Sequence, residues 1–263
     1  YVLREMTDST GAFYSAQDAE VDAREGANYV WTPDEIRAAL APHGDNLADL
    51  ALAIYGLDKG TNFRDPHHED APLVNVLYQP VALDGVARQR KLKLEHAAQV
   101  TERIDVRRLV ERGRRKQPGT DDKVLTAWNG MMIAALATAG RQFDEPRYLA
   151  AAQKAAQALL DHMHDADTGL LRTMRNRQAR IPAFLEDYAF FVHGLIGLHR
   201  ATGDTRWLDA ARQVHQQAHD RFASPAGGWF DTLADQDDLF VRTRTLYDGA
   251  VPSGNSQMVR NLI

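Results

Sequence analysis

The segment PRYLAAAQKAAQALL at residues 146–160 resembles the segment TRWLDAARQVHQQAH at residues 205–219, and this internal repeat decides the fold. Aligning Tyr148 with Trp207 gives an offset of 59 residues (207 − 148). A short glycine loop follows each segment and a third precedes them: TGLLRT at 168–173, GGWFDT at 227–232 and TGAFYSA at 10–16. We therefore expect a helix, a short loop, a second helix and a glycine loop to recur about every 60 residues, as in other repeat architectures.

The helices of this repeat differ in character. The segment YAFFVHGLIGL at 188–198 is apolar nearly all round, which indicates burial on every side. The segment DAARQVHQQAHDRF at 209–222 instead has a single apolar stripe, made of Ala211, Val214, Ala218 and Phe222. A ring of buried helices inside a ring of amphipathic helices satisfies both patterns, so we predict an all-α fold of the (α/α)6 toroid type. An open solenoid of helix pairs is the alternative.

Residues 17–116 break the period. They hold few large apolar residues, so we expect an insertion within one hairpin of a toroid that includes residues 1–263, and not a separate domain. In ANYVWTPDEIRAAL at 27–40, a short strand is predicted to lead into a helix with Thr32 as N-cap and Glu35 closing a capping box. A second strand is predicted at 73–80, and a charged helix at about 85–111.

Composition excludes several classes of protein. The 263 residues have a formal net charge of −5, which argues against a nucleic-acid binder that works through bulk positive charge. The absence of cysteine rules out disulfides and thiolate zinc sites within the chain, and a cytoplasmic location fits it. His215 and His219 have the spacing of a zinc-binding pair, but no third ligand is evident, so neither a metal nor another cofactor is expected. No apolar run approaches the roughly 20 residues that span a bilayer, so no membrane partner is expected.

Polar residues gather where three inner helices are expected to begin, near Asp122, Asp187 and Ser253. In a toroid these starts converge at one mouth of the central cavity, where two carboxyl groups can serve as acid and base on a sugar. Aromatic rings there offer flat faces to a sugar, amides bind hydroxyl groups, and a buried histidine can shuttle a proton. The predicted catalytic residues are Asp122, Glu186, Asp187 and Asp248. The predicted substrate-binding residues are Tyr14, Asp18, Trp31, Trp128, Asn129, Tyr188, His193, Ser253 and Asn255.

Each of these residues also has a structural interpretation. Asp and Glu are favoured in the first turn of a helix by capping and by the macrodipole, and a repeat copies caps as faithfully as it copies sites. Asn255 lies beside Gly254 in a turn-like sequence, and Trp128 lies on the apolar stripe of its helix. For Asn129, full burial with saturated protein partners would make its role structural.

Five longer motifs point to a known family. GAFYSAQDAE, YVWTPDEI, DDKVLTAWNGMMIAALA, FLEDYAFFVHGLIGL and DGAVPSGNS resemble the family of spermatogenesis-associated protein 20 and its bacterial counterparts. The resemblance implies a thioredoxin-like domain followed by an (α/α)6 toroid related to six-hairpin glycosidases and to N-acylglucosamine 2-epimerase. It also implies that this chain is part of that toroid and lacks the thioredoxin-like domain.

Two classes of function follow from the motifs and the resemblance together. The first is a carbohydrate-active domain, a glycosidase or a sugar epimerase or isomerase, that uses paired carboxylates on a small sugar-like ligand. The alternative is a non-catalytic module that binds a ligand or partner and serves the thioredoxin-like domain.

Overall fold

A computed structural model describes residues 1–44, 46–68, 70–235 and 239–263. The described helices, in chain order, are α1 Val2–Glu5, α2 Pro33–Leu40, α3 Leu47–Ile54, α4 Leu83–Gln89, α5 Leu94–Arg114, α6 Thr126–Gln142, α7 Pro146–His162, α8 Leu185–Thr202, α9 Thr205–Phe222 and α10 Gly254–Asn261. The strands are β1 Tyr14–Gln17, β2 Glu20–Val21, β3 Arg24–Glu25, β4 Thr120–Leu125, β5 His164–Asp165, β6 Gly169–Arg175 and β7 Gln178–Pro182. The chain divides into two compact units, one made of Tyr1–Ala16 with Thr120–Ile263 and the other of Gln17–Gly119.

The larger unit has two layers of helices. Helices α6, α8 and α10 lie side by side as the inner layer, α7 packs on α6, and α9 packs on α8. Helices α6 and α8 run parallel. A Cβ added at Gly130 of α6 would meet the backbone of Phe190 of α8, and a Cβ added further along α8 at Gly197 would meet Ala134, which also lies further along α6. Parallel inner helices alternating with outer helices are the arrangement of an α/α toroid, and the predicted fold class is confirmed.

Burial follows the two predicted patterns. Along α8, the side chains of Tyr188, Phe190, Phe191 and Leu195 are all buried, as expected for an inner helix. Along α9, the stripe of Ala211, Val214, Ala218 and Phe222 is buried, and the residues between are mostly exposed. Both helices contribute to one continuous apolar core.

Two of the three glycine loops, at 10–16 and 168–173, differ from the prediction because they contribute strands to a sheet, whereas the loop at 227–232 makes only an isolated bridge from Trp229 to Ala223. Strands pair in the order β1-β4-β6-β5, and β7 also pairs with β6. Asp122 therefore lies in β4, and α6 begins four residues later at Thr126, because Val124 and Leu125 pair with Met174 and Thr173 of β6. The expected helix start near Asp122 is wrong. The starts of α8 and α10 agree with the prediction, since Asp187 lies in the first turn of α8 and Ser253 is the N-cap of α10.

The Gln17–Gly119 unit has an apolar core of its own, which its sequence did not suggest. Buried side chains from α2, α3, α4 and α5 form it: Ile36, Leu40, Ile54, Val86, Val100 and Ile104. The predicted capping box of Thr32 and Glu35 is present. The two predicted strands are wrong, since those segments make only isolated bridges, Trp31 with Asn75 and Phe63 with Val74, and the strands of this unit are β2 and β3.

The predicted charged helix is split into α4 and α5. The break falls at residues 90–93, where Lys91 takes a positive φ of 54° that an α-helix cannot continue. In chain order the unit lies between the paired strands β1 and β4. That it is an insertion in one toroid hairpin stays a prediction. Of the described helices, none is long and apolar enough to cross a membrane.

Candidate functional site

The starts of the inner helices meet at one end of the larger unit. The Asp187 Oδ1 atom in the first turn of α8 accepts a hydrogen bond from the Ala127 N–H of α6 at 3.1 Å. On the other side of α8, a Cβ at Gly254 of α10 would lie 3.2 Å from the Glu186 backbone nitrogen. The residues that repeat at these starts are therefore neighbours in space.

Asn129 and Asn255 perform the same task in two repeats. The Asn129 side chain accepts a hydrogen bond from the Phe13 N–H at 2.7 Å and donates to the Phe13 carbonyl at 2.9 Å. The Asn255 side chain accepts from the Trp229 N–H at 2.8 Å and donates to the Trp229 carbonyl at 2.9 Å. Both amides are buried and have saturated protein partners. Their contacts are structural, which corrects the expectation that they line an open cavity.

Tyr188 fixes the middle glycine loop to its inner helix. Its hydroxyl accepts a hydrogen bond from the Leu170 N–H at 2.8 Å, and its ring packs edge-on against Phe222. A side chain at Gly169 would collide with that hydroxyl, and Gly169 has a φ of 85°, so both space and backbone require glycine there. Tyr188 is 1% exposed and presents no face to a ligand, contrary to its predicted role.

Asp187 is a buried carboxylate enclosed by donors. Besides Ala127, it accepts from the Phe184 N–H at 3.0 Å and from the Arg172 guanidinium at 2.9 Å. Burial raises the pKa of Asp187 to about 6, although the positive charge of Arg172 and the backbone donors oppose that rise. Only 1% of the residue is exposed, so this carboxyl group has no open path to a substrate.

Glu186 is an accessible acid at this end of the unit. Its carboxylate lies 2.9 Å from the Arg172 guanidinium, and 42% of its side chain is exposed. Arg172 thus joins one buried and one exposed carboxylate, and it stacks over the Phe184 ring at 4.6 Å. Arg172 has no arginine equivalent in the next repeat, so the sequence does not mark its position.

A cleft of about 320 Å³ opens beside Glu186. Its lining includes Phe184, Glu186, Asp231, Thr232, Tyr247 and Ser253. The Asp231 carboxylate accepts from the Thr245 N–H at 3.0 Å and from the Thr243 hydroxyl at 2.8 Å. The buried Thr232 hydroxyl oxygen has no partner among the described residues. Only Glu186 and Ser253 of this set were predicted. Asp231 and Thr232 lie in the repeated glycine loop GGWFDT, and Asp231 is offset from Arg172 by the repeat length (231 − 172 = 59).

Asp248, Asp122 and Tyr14 lie outside the cleft lining. Asp248 is exposed and accepts from the Ser253 N–H at 3.0 Å, which lowers the pKa of its carboxyl group. Asp122 pairs with Arg175. Tyr14 is half-buried in β1, and burial together with the nearby charges of Asp8 and Asp122 raises the pKa of its hydroxyl.

The remaining predicted residues are dispersed. Trp128 is 51% exposed on α6, so it is not the core residue of the alternative interpretation. Asp18 and Trp31 belong to the Gln17–Gly119 unit, where Asp18 caps the Glu20 N–H and Trp31 is buried beneath Arg115. His193 lies half-buried further along α8, in a groove that Arg141 and Arg200 share. Trp31 is a core residue, which corrects its predicted role as an open sugar-binding face. Among the described residues, no cluster of three acidic or histidine side chains could hold a metal ion.

Curated proteins are similar to this chain over its whole length. The chain is 31% identical over 289 residues to spermatogenesis-associated protein 20 of Mus musculus and 31% identical over 290 residues to that of Homo sapiens. The match covers 100% of this chain. Over its full length, this chain is similar to spermatogenesis-associated protein 20. It spans only 36% and 37% of those two relatives, and no protein-family model matches it.

Three solved structures are similar to part of this chain. A cellobiose 2-epimerase from Spirochaeta thermophila has a TM-score of 0.41 at 19% identity, covering 53% of this chain and 36% of that one. A D-mannose isomerase has a TM-score of 0.43 at 14% identity, covering 52% and 36%. A family 105 glycoside hydrolase from C. acetobutylicum has a TM-score of 0.44 at 10% identity, covering 68% and 53%. The overlap is partial in each case.

Proposed function

We propose that the cleft beside Glu186 binds a small, hydroxyl-rich ligand of the sugar class, and that this domain is a binding module. The observation that supports binding is the half-exposed Glu186 carboxylate, held by Arg172 at the edge of a cleft of about 320 Å³. A carboxylate and a free hydroxyl accept and donate the hydrogen bonds that sugar hydroxyl groups offer. Tyr247, which is 78% exposed, supplies both a hydroxyl group and an aromatic face.

Binding is better supported than catalysis because the acids do not form an open pair. Hydrolysis of a glycosidic bond uses two carboxyl groups that face each other across the substrate. Asp187 has the raised pKa that a general acid needs, but its oxygens are engaged by Ala127, Phe184 and Arg172. Asp231 is engaged by Thr243 and Thr245. A thioredoxin-like partner domain and a cytoplasmic location stay expectations from the resemblance and the composition.

A sugar panel tests this function. Mono- and disaccharides are screened by thermal shift, and hits are titrated by calorimetry against wild type, Glu186→Gln and Glu145→Gln. Glu145 also forms an ion pair, with Arg147 at 3.2 Å, but lies outside the cleft, so it is the matched control. We expect at least one sugar to bind, with affinity lowered about tenfold in Glu186→Gln, the loss of one charged hydrogen bond, and unchanged in Glu145→Gln.

Two outcomes would overturn parts of this proposal. If no sugar raises the melting temperature or perturbs the NMR signals of cleft residues, the ligand class is wrong. If a sugar is converted to product at a rate that Glu186→Gln abolishes, the domain is an enzyme and the paired-carboxylate hypothesis replaces the binding module.

A further inference from the structure

A second concave site lies between α6 and α8, away from the cleft beside Glu186. Its volume is about 560 Å³, and its residues come from positions 134–142 of α6 and 193–201 of α8. Small side chains form its floor, because Gly197 packs against Ala134 and neither fills the space above. The two helices therefore leave a groove near their C-terminal ends.

The polar side chains that line this groove are basic or neutral, and the Thr138 hydroxyl among them donates to the Ala134 carbonyl oxygen at 2.8 Å. Arg141, Gln142 and Thr138 come from α6, and His193 and Arg200 come from α8. None of the lining residues is acidic. Arg141 donates a hydrogen bond to the Arg200 carbonyl oxygen at 3.2 Å. Among the described residues, no carboxylate forms an ion pair with Arg141 or Arg200, so both guanidinium groups lack a negative partner there.

The helix macrodipole offers a simpler explanation for the location of these arginines. Basic side chains are common in the last turn of a helix, where they offset the negative end of the macrodipole. That effect changes the affinity for a charge by a factor of only about two to five. A single arginine that contacts a carbonyl group at the helix end would be enough to offset the macrodipole. It does not account for two arginines and a histidine from different helices converging on one concavity without an acid.

We propose that this groove binds an oxyanion, the phosphate or carboxylate group of a small molecule, between Arg141 and Arg200. Guanidinium groups match the planar, bidentate geometry of both anions. Thr138, Gln142 and His193 are placed to bind the hydroxyl or carbonyl groups of the rest of the molecule. This site is independent of the cleft beside Glu186, so it stands whether or not that cleft binds a sugar.

His193 provides a probe inside the groove. Burial, and the positive charges of Arg200 on its own helix and Arg260 on α10, lower the pKa of its imidazole, and Arg141 adds a further cation from α6. An anion bound between the arginines would offset those charges. The pKa of His193 should therefore rise when the groove is occupied, which a purely structural role of the arginines would not produce.

Inorganic phosphate and acetate are the probes. Each is titrated into the protein at constant ionic strength, set with sodium chloride, while the His193 ring signals and the backbone amides are followed by NMR. We expect saturable binding of at least one anion, perturbation of residues 134–142 and 193–201, and a rise in the His193 pKa. Arg141→Gln and Arg200→Gln should each weaken binding about tenfold or more, as expected for one charge-assisted contact.

Arg212→Gln is the matched control, since Arg212 is an exposed helical arginine outside the groove. It should leave the affinity unchanged. The proposal is overturned if neither anion binds saturably at constant ionic strength, if the perturbations map elsewhere, or if Arg141→Gln and Arg200→Gln bind as wild type does. Preference for phosphate or for acetate identifies which anion the groove takes.

Discussion

The side-chain amide of Asn129 replaces a strand partner for Phe13, accepting from its N–H and donating to its carbonyl. These residues are 116 positions apart in the chain. Asn255 repeats the arrangement with Trp229, and the hydroxyl of Tyr188 accepts from Leu170 in the repeat between them. Each inner helix therefore holds the backbone of the glycine loop before it. The loop that Asn255 holds, at 227–232, contributes Asp231 and Thr232 to the lining of the candidate cleft.

Asn129→Ala should lower the free energy of unfolding by about 3 kcal/mol, because it leaves the buried N–H and carbonyl of Phe13 without partners. Asn255→Ala should have a similar effect through Trp229. Gln216→Ala, which removes an exposed amide from α9, should change stability by less than about 0.5 kcal/mol. Urea denaturation measures all three. An Asn129 variant as stable as the Gln216 variant would contradict the structural role.

The sequence predicted the helices well because their periodicity is local. The apolar stripe of α9 and the all-round apolar α8 could be recognised from single segments, and the repeat then placed them in two layers. The equivalence of Asn129 and Asn255 was also visible in the sequence. Their partners were not, because each partner is backbone in a loop whose distance in the chain gives no signal.

Asp122 and Trp31 show what sequence alone could not settle. An acid before an apolar run suggests a helix start, but pairing of Val124 with Met174, fifty residues away, keeps this segment extended. An aromatic residue suits a sugar site or a core equally well, and only packing in three dimensions buried Trp31. Tyr247 of the cleft lies in irregular structure, where no periodicity marks a residue.

Gly130→Ala should destabilise the protein by about 3 kcal/mol, because its Cβ would lie 2.4 Å from the carbonyl of Phe190 and force α6 and α8 apart. Gly113→Ala provides a control with the opposite sign. Outside the backbone of its own helix, no described atom lies within 4 Å of a Cβ at Gly113 in α5. This change should therefore stabilise the folded protein by about 0.5 kcal/mol, because alanine lowers the backbone entropy of the unfolded chain. Thermal and urea unfolding of both variants check the prediction. Equal effects would mean that the inner helices do not touch as closely as described.

Asp187 should make stability depend on pH between about 4 and 6. Its folded pKa of about 6 lies above the ordinary value of 3.8, so the folded state holds the proton more tightly than the unfolded state. The contribution of this proton to the free energy of unfolding is fully present below about pH 4 and is lost as pH rises through 6. The total loss is about 3 kcal/mol. Relative to Asp187→Asn, wild type should lose about 2 kcal/mol between pH 4.5 and pH 6.5. Urea denaturation at those two pH values measures it, and parallel changes in both proteins would contradict burial of an ionisable group here.

Arg172→Met should extend this pH dependence of stability to higher pH. The guanidinium charge opposes the rise in the pKa of Asp187, so its removal should raise that pKa further above about 6. The variant should therefore lose stability over a wider range of pH than wild type, and its deficit should be larger at pH 7.5 than at pH 5. Arg175→Met, in the same strand, removes an arginine that pairs with Asp122 and not with Asp187, so its deficit should stay constant over that range. Stability curves of the three proteins from pH 4 to 8 supply the comparison. If the deficit of Arg172→Met did not grow with pH, Arg172 would act only by packing on Phe184, and the electrostatic link between the buried Asp187 and the exposed Glu186 would be wrong.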